Sequence, residues 1–381
     1  MSQTDYQIVL VTAADSEQAE RIAAALVEER IAACVNVVGP CRSLYRWKGE
    51  MTRDDEVMMF AKTRRCDFDA IARRVTELHS YEVPEIIAVD LESLSDGYGR
   101  FLEEALGDGG RGRSAIALIT DFGRDSFYVG AMKGAMLAVD RHAVIADLTH
   151  SVRPYAVEEA SFILSAVLEF WAKGTVFAAV VDPGVGGERL NLAVQSKGRW
   201  IVCPDNGLVS DIAERQGVDA VFAVSEEAAG AVRKHHAFGS TFLGRDVFGP
   251  VAAFLASGGD ISRVGKKLEG FRRISVPRVE VRDEYIRGRG RYADDFGNIL
   301  TNISGDDVKR AFPSVPLERM RVSINGAIEV EGIRKCFSEG DTGELVVILD
   351  SWNLVEISVN RGRALDRFTD RGPVVVELTR A

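Results

Sequence analysis

Cysteine is scarce and lies in no recognisable pattern. Cys34, Cys41, Cys66, Cys203 and Cys336 are spread over 381 residues with no pair at C-x-x-C spacing. That argues against a structural zinc site and against a disulfide framework, and reads as free thiols in a reducing, cytoplasmic setting. Histidine is equally sparse: His79, His142, His150, His235 and His236 form no H-E-x-x-H or similar ligand spacing. No apolar run reaches the roughly 18 residues that a spanning helix needs. The opening MSQTDYQIVLVTAAD lacks a basic stretch followed by an apolar one and a cleavage site, so it reads as a first strand rather than a secretion signal. Positive charge is in deficit as well. Lys and Arg total 47 against 57 Asp and Glu, a net charge of −10, which excludes broad binding to nucleic acid or to an anionic membrane.

What is present is enough apolar sequence for more than one core. Hydrophobic residues make up 46% of the chain, and this length predicts two or three domains. The clearest break is the Gly/Arg-rich LGDGGRGRS, Leu106 to Ser114, whose composition suits a flexible linker. The pattern predicts a domain over residues 1–106, a linker over 107–114, a second domain over 115–276 and a third over 277–381. In the first, strands at Tyr6–Val11, Ala33–Val38, Glu56–Lys62 and Ile86–Leu91 and helices at Asp15–Glu29 and Asp67–Leu78 give the order β-α-β-β-α-β. That is an α+β, ferredoxin-like arrangement. In the second, strands at Ile116–Thr120, Val144–Asp147 and Val176–Val181 alternate with helices around Val129–Val139 and Val157–Trp171. This predicts an α/β domain on a mostly parallel sheet, with its ligand site at the carboxyl ends of the strands. Those ends lead into DFGRD, THSVRP and DPGVGG. From about Pro277, short β-rich segments such as Val279–Val281, Arg289–Tyr292, Arg321–Ile324, Leu345–Leu349 and Val355–Val359 predict a small antiparallel β-barrel-like domain.

ACVNVVGPCRSLYRWKGE from Ala33 and ELHSYEVPEIIAVDL from Glu77 resemble the CutA family, named for divalent-cation tolerance, and the resemblance covers nearly all of residues 4–105. The departure is Ser80, where proline is usual. The resemblance implies a homotrimer, with Tyr45 and Trp47 in an inter-subunit strand region. It also implies a copper or other divalent-ion site, for which Cys34, His79 and Glu85 are the candidates, since thiolate, imidazole and carboxylate together suit a borderline metal. The competing reading is packing: Cys34 as a small apolar residue and His79 hydrogen-bonded at a subunit contact. This domain carries no catalytic set.

The rest of the chain contains six ordered blocks: ITDFGRDSFYVGAMKG from Ile119, ADLTHSVRPYAVEEA from Ala146, GTVFAAVVDPGVGGER from Gly174, PDNGLV from Pro204, STFLGRDVFGP from Ser240 and DDFGNILTNI from Asp294. Together they resemble the S-adenosylmethionine hydroxide adenosyltransferases, relatives of the fluorinases and chlorinases. The resemblance implies hydrolysis of S-adenosyl-L-methionine to adenosine and L-methionine by attack of water or hydroxide at the ribose C5′, without a required cofactor. Such a displacement needs a rigidly held nucleoside and a dry, aligned nucleophile. By the resemblance, Asp121 chelates the ribose hydroxyls and Tyr155 lines the ribose–methionine pocket. Phe296 and Asn298 fix adenine, with Phe337 as a further stacking candidate. Asp294 meets the methionine ammonium and Ser351 the carboxylate. Asp182 and Arg189 match two members of an Asp-Arg-His set that positions the water, and halogenases carry tyrosine at the first of these positions. Such a site draws on both domains and forms between subunits of a trimer.

Two departures stand out. Leu243 replaces the family histidine in STFLGRD, leaving Phe242 and the backbone N–H of Gly244 to shape the nucleophile pocket. His235 and His236 lie shortly upstream, with nothing in the sequence to place either ring in the site. Ser126 stands where aspartate is usual, with Asp125 one position early. These departures keep a second reading open, a weakly active or inactive nucleoside-binding protein on a CutA-like scaffold, and leave a halogenase third. His150, the turn Pro204–Gly207 and the pair Arg245–Asp246 read as structural.

Overall fold

The computed structural model describes residues 4, 6–106, 114–236, 239, 241–368 and 373–380. Of the expected linker, residues 107–113 lie outside the described residues, as does Ser240 of the STFLGRD block.

The first unit contains β1 (Tyr6–Ala13), α1 (Ser16–Glu28), β2 (Cys34–Trp47), β3 (Glu50–Arg64), α2 (Phe68–Leu78), β4 (Ile86–Asp90) and α3 (Asp96–Leu106). Its antiparallel sheet runs β2-β3-β1-β4. Asp15 starts α1 by accepting the Gln18 N–H at 2.8 Å, satisfying one of the N–H groups a helix start leaves unpaired. Ala19, Ile22 and Leu26 form the buried stripe of α1 and pack on Val9, Val11 and Met59. Two features exceed the sequence expectation. The β2–β3 hairpin extends to the turn at Lys48-Gly49, where both residues have positive φ (48° and 93°). The helix α3 was not expected. It buries Leu102 and Leu106 against Ala33 and Tyr6.

The second unit contains β5 (Ile116–Thr120), α4 (Phe127–Val139), β6 (Ile145–Thr149), α5 (Val157–Val167), β7 (Val176–Val180), β8 (Asn191–Ser196), β9 (Arg199–Pro204), α6 (Ser210–Arg215), β10 (Ala220–Val224), α7 (Glu226–Val232), α8 (Gly249–Ala256) and β11 (Gly265–Leu268). The sheet order is β11-β10-β8-β9-β7-β5-β6. It corrects the mostly parallel expectation. The pairs β6-β5, β5-β7 and β7-β9 are parallel, whereas β9-β8, β8-β10 and β10-β11 are antiparallel. Strand β5 is buried throughout because helices cover both faces. Ile116 and Leu118 face the core under α4 and α8, and Ala117 and Ile119 face the core under α5, as the two-residue period of a strand requires.

The third unit contains β12 (Glu280–Val281), β13 (Tyr285–Ala293), β14 (Ile299–Ser304), α9 (Gly305–Ala311), β15 (Met320–Ile324), β16 (Ile328–Glu331), β17 (Leu345–Leu349), β18 (Leu354–Val359) and β19 (Val375–Arg380). The strands pair antiparallel along β16-β15-β19-β13-β14-β18-β17, with β12 beside β13. The two ends of this path approach each other where Arg334 N–H reaches Val347 O at 2.7 Å, giving a nearly closed barrel around Ile286, Ile303, Val322, Val347, Ile357 and Val376. No helix among the described residues is long and apolar enough to cross a membrane.

Candidate active site

Thr120 at the end of β5 lies opposite Val180 at the end of β7. Asp121 and Asp182 therefore leave neighbouring parallel strands at the same sheet edge, where an α/β sheet offers its ligand crevice.

Asp182 is held by Arg189. The guanidinium Nε donates to Asp182 Oδ1 at 2.7 Å, and Nη2 donates to Oδ2. Nη1 bonds Asn191 Oδ1 at 2.6 Å and Leu190 O at 3.1 Å, and the group lies over the Phe248 ring at 5.5 Å. The Arg189 and Asp182 side chains are only 6% and 5% exposed. A bidentate pair this dry has fixed orientation and strong charge-assisted bonds. Beside it opens a cleft of about 680 Å³ lined by Val157, Pro183, Gly184, Glu188, Asn206 and Arg272, among others. Asn206 and Arg272 were not expected there. Asn206 Nδ2 donates to Val181 O at 2.8 Å, steadying the strand exit just before Asp182.

Asp121 Oδ2 accepts the Tyr155 N–H at 2.9 Å. Tyr155 has φ +68° and an exposed ring, a backbone conformation that costs energy in a non-glycine residue and is concentrated at functional sites. Ser126 sits at the start of α4. It caps α4, accepting the Tyr128 N–H at 3.3 Å, and Asp125 beside it is exposed.

The Phe242–Gly244 segment packs on the Asp121 turn. The Phe122 and Phe242 rings meet at 5.8 Å and Tyr128 meets Phe242 at 4.8 Å. A Cβ on Gly244 would come within 3.2 Å of both Phe122 and Phe242. Gly244–Phe248 forms a π-helical turn leading into α8, an irregularity common at functional sites. Leu243 is 4% exposed and belongs to the core cluster that includes Met132 and Val247. His235 does not take the missing histidine's place. Its Nε2 pairs with Asp246 Oδ1 at 2.8 Å, and His236 is exposed. Asp246 is buried and also takes two bonds of 2.8 Å from Arg245. Burial pushes its carboxyl up, but Arg245 and His235 outweigh that and hold it below the usual range. Among the described residues no histidine bonds Asp182 or Arg189.

In the barrel, Asp294 Oδ1 accepts the Asn298 N–H at 2.8 Å and Oδ2 accepts Asn298 Nδ2 at 3.0 Å. Asn298 keeps its carbonyl oxygen and one N–H for a ligand, the donor and acceptor that an adenine edge requires. Phe296 at the tip of the turn is 77% exposed. Phe337 is partly exposed, and Ser351 lies in the exposed turn between β17 and β18. Among the described residues no hydrogen bond, ion pair or ring contact joins these residues to Asp121 or Asp182 within one subunit.

The three metal candidates are not gathered. Cys34 Sγ lies 3.4 Å from Tyr98 OH, while His79 Nε2 meets Thr12 O at 2.7 Å and Nδ1 accepts the Tyr81 N–H at 3.0 Å. Glu85 precedes β4. Among the described residues no three His, Cys, Asp or Glu side chains are arranged to hold a metal ion.

Residues 7–105 match the CutA1 divalent ion tolerance protein family, residues 116–265 the N-terminal domain of the SAM hydroxide adenosyltransferases, and residues 290–371 their C-terminal domain. The (R)-S-adenosyl-L-methionine hydrolase of Methanocaldococcus jannaschii is 31% identical over 252 residues, covering 64% of this chain and 87% of that protein. The divalent-cation tolerance protein CutA of Thermus thermophilus is 44% identical over 101 residues, 26% of this chain and 98% of that protein. The crystal structure of an uncharacterized conserved protein from Thermotoga maritima matches with a TM-score of 0.63 at 34% identity, over 70% of this chain and all of that one. The chain belongs to the SAM hydroxide adenosyltransferase family and carries a CutA1-family domain ahead of it.

Proposed function

We propose that the chain hydrolyses S-adenosyl-L-methionine to adenosine and L-methionine. The observation that carries this reading is the dry, bidentate Asp182–Arg189 pair at the lip of the cleft. Each Asp182 oxygen retains a lone pair after bonding Arg189, enough to accept a hydrogen bond from a water aimed at C5′. The water oxygen bonds C5′ as the C5′–S bond breaks and its electron pair passes to sulfur. One water proton is released, and methionine leaves as a neutral thioether. The sulfonium is itself the electrophile, so the residues need only hold and align.

In this reading Asp121 chelates the ribose hydroxyls beside Tyr155, and Asn298 and Phe296 take adenine, with Phe337 as a second stacking ring. Asp294 has a dual part. It fixes the Asn298 amide, and its remaining lone pairs meet the methionine ammonium, with Ser351 at the carboxylate. Because Phe296 is exposed and unconnected to Asp121 within one subunit, a homotrimer completes each site with the barrel of a neighbouring copy. The N-terminal unit supports the same assembly. Its strand order, β2-β3-β1-β4, supports the ferredoxin-like reading, and Val38, Leu44, Met51, Ile87 and Val89 leave apolar surface for other copies to cover. The domain limits 1–106, 115–276 and 277–381, the 107–114 linker and a cytoplasmic setting belong to this proposal.

Incubating purified protein with S-adenosylmethionine and separating the products tests the reading: adenosine and methionine in equal amounts are expected. The burial of Leu243 favours one other outcome, nucleoside binding with little turnover, which calorimetry would reveal as tight adenosine binding without product.

A further inference from the structure

Strands β5 and β6 run parallel and end side by side, and one buried imidazole ties their exits together. His150 follows β6, and its Nδ1 lies 2.9 Å from Oγ1 of the fully buried Thr120, the last residue of β5. Its Nε2 lies 3.0 Å from Asp147 Oδ1, bent away from ideal hydrogen-bond geometry. The Lys133 ammonium donates to the other Asp147 oxygen at 2.7 Å. A carboxylate facing Nε2 favours the proton there and leaves the Nδ1 lone pair toward Thr120, whose hydroxyl then donates to the ring. The Thr120 oxygen still accepts the Phe122 N–H at 3.2 Å. The backbone carbonyl of His150 accepts the N–H of Gly123 at 2.8 Å, and Gly123 sits at φ +90°, open to glycine but strained for other residues. The turn is thus pinned on both sides of Asp121, before it through Thr120 and after it through Phe122 and Gly123.

We infer that His150 is a positioning residue, acting through Thr120 and Gly123 to hold the Asp121 carboxylate in its ribose-binding orientation. The inference rests on the ribose role proposed for Asp121. His150 itself touches no reacting atom. Ribose contacts persist from the bound substrate into the transition state, so a misplaced Asp121 weakens binding more than it slows chemistry.

Thr120→Val keeps the volume and removes the hydroxyl that joins ring to turn. The KM for S-adenosylmethionine and the calorimetric Kd for adenosine are each expected to rise about tenfold, with kcat within about threefold of wild type. Thr120→Ser, which restores the hydroxyl, is expected to recover both constants. A purely structural part would lower Tm and the yield of folded enzyme but leave KM and Kd of the folded fraction unchanged, and that result overturns the inference. Asp147→Asn perturbs the same relay from the surface without disturbing the core. A rise in KM of about threefold is expected there, and unchanged constants count against the inference. The wild-type chain is measured first. If it neither cleaves S-adenosylmethionine nor binds adenosine, the site reading fails and the inference with it. If wild type is active and both variants keep its constants, the inference alone fails.

Discussion

Arg291 Nη2 donates to Asp211 Oδ2 at 3.0 Å with both side chains shut off from water, 5% and 0% exposed. The same carboxylate oxygen accepts the Ser161 hydroxyl at 2.8 Å, and the Arg291 guanidinium lies over the Phe162 ring at 5.2 Å. The pair joins β13 of the barrel to α6 of the α/β unit. Arg291 precedes Asp294 by three residues, so this clamp sets where the DDFGN turn stands relative to the sheet.

Removing Arg291 leaves the fully buried Asp211 with Arg215, 4.0 Å away and partly in solvent, as its charged neighbour. Arg291→Ala is expected to cost about 3–5 kcal/mol, read from the shift of the urea unfolding midpoint. A loss below about 1 kcal/mol, the range of an exposed ion pair, would contradict the clamp.

Glu356 supplies a pH prediction. It is 5% exposed, and burial pushes its carboxyl up to about 7, with Asp350 and Asp294 adding to the rise and the Ser358 hydroxyl opposing it. A carboxyl raised in the folded state stabilises the fold while protonated in both states, below about 4.5, and that stability is lost as pH rises through 7. Glu356→Gln keeps an acceptor for Ser358 and cannot ionise. At pH 8 it should be more stable than wild type by up to about 3 kcal/mol, with the gap narrowing toward pH 4.5. Equal unfolding midpoints across that range would rule out the buried ionisation.

Asp182→Asn keeps the shape of the pair and loses its charge. A fall in kcat of about 100-fold or more is expected, with KM within a few-fold, because the carboxylate acts on the nucleophile rather than on the nucleoside. Arg189→Lys should also slow turnover, since an ammonium cannot reproduce the two-pronged bond. Steady-state kinetics showing a raised KM at unchanged kcat would move Asp182 into substrate binding.

Leu243→His reports on the histidine that the family carries in this block. The Leu243 side chain packs among Met132, Val247 and other core residues. An imidazole there loses that packing and lacks a partner, at a cost of about 1–3 kcal/mol, and the rate is expected to stay within about threefold of wild type. A tenfold rise would place position 243 in the nucleophile pocket.

Much of the α/β unit was legible because its strands are apolar runs buried on both faces: Ile116–Thr120 was read with its correct ends, and Val176–Val181 to within a residue. The antiparallel half of the sheet was not. Asn191–Ser196 and Ala220–Val224 have no local feature that sets strand direction, which is decided by the β8–β9 hairpin and the β10 return. The outer part of the β2–β3 hairpin was missed because Arg42–Trp47 and Glu50–Asp55 are polar or exposed and are ordered by pairing with each other. Helix α3 carries two glycines, Gly97 and Gly99, which lower helix propensity. It forms because Leu102 and Leu106 find a hydrophobic seat. At the site, Asp182 and Arg189 lie seven residues apart in one motif, and their pairing was visible from it. Asn206 and Arg272 reach the cleft from distant segments, and only the fold brings them there.

Attack of water at C5′ is tested most directly by hydrolysis in water enriched in the heavy oxygen isotope. Adenosine carrying that isotope at the 5′-hydroxyl is expected, in equal amount with unlabelled methionine, with loss of both products in Asp182→Asn. Unlabelled adenosine, or no adenosine at high enzyme concentration, would contradict it.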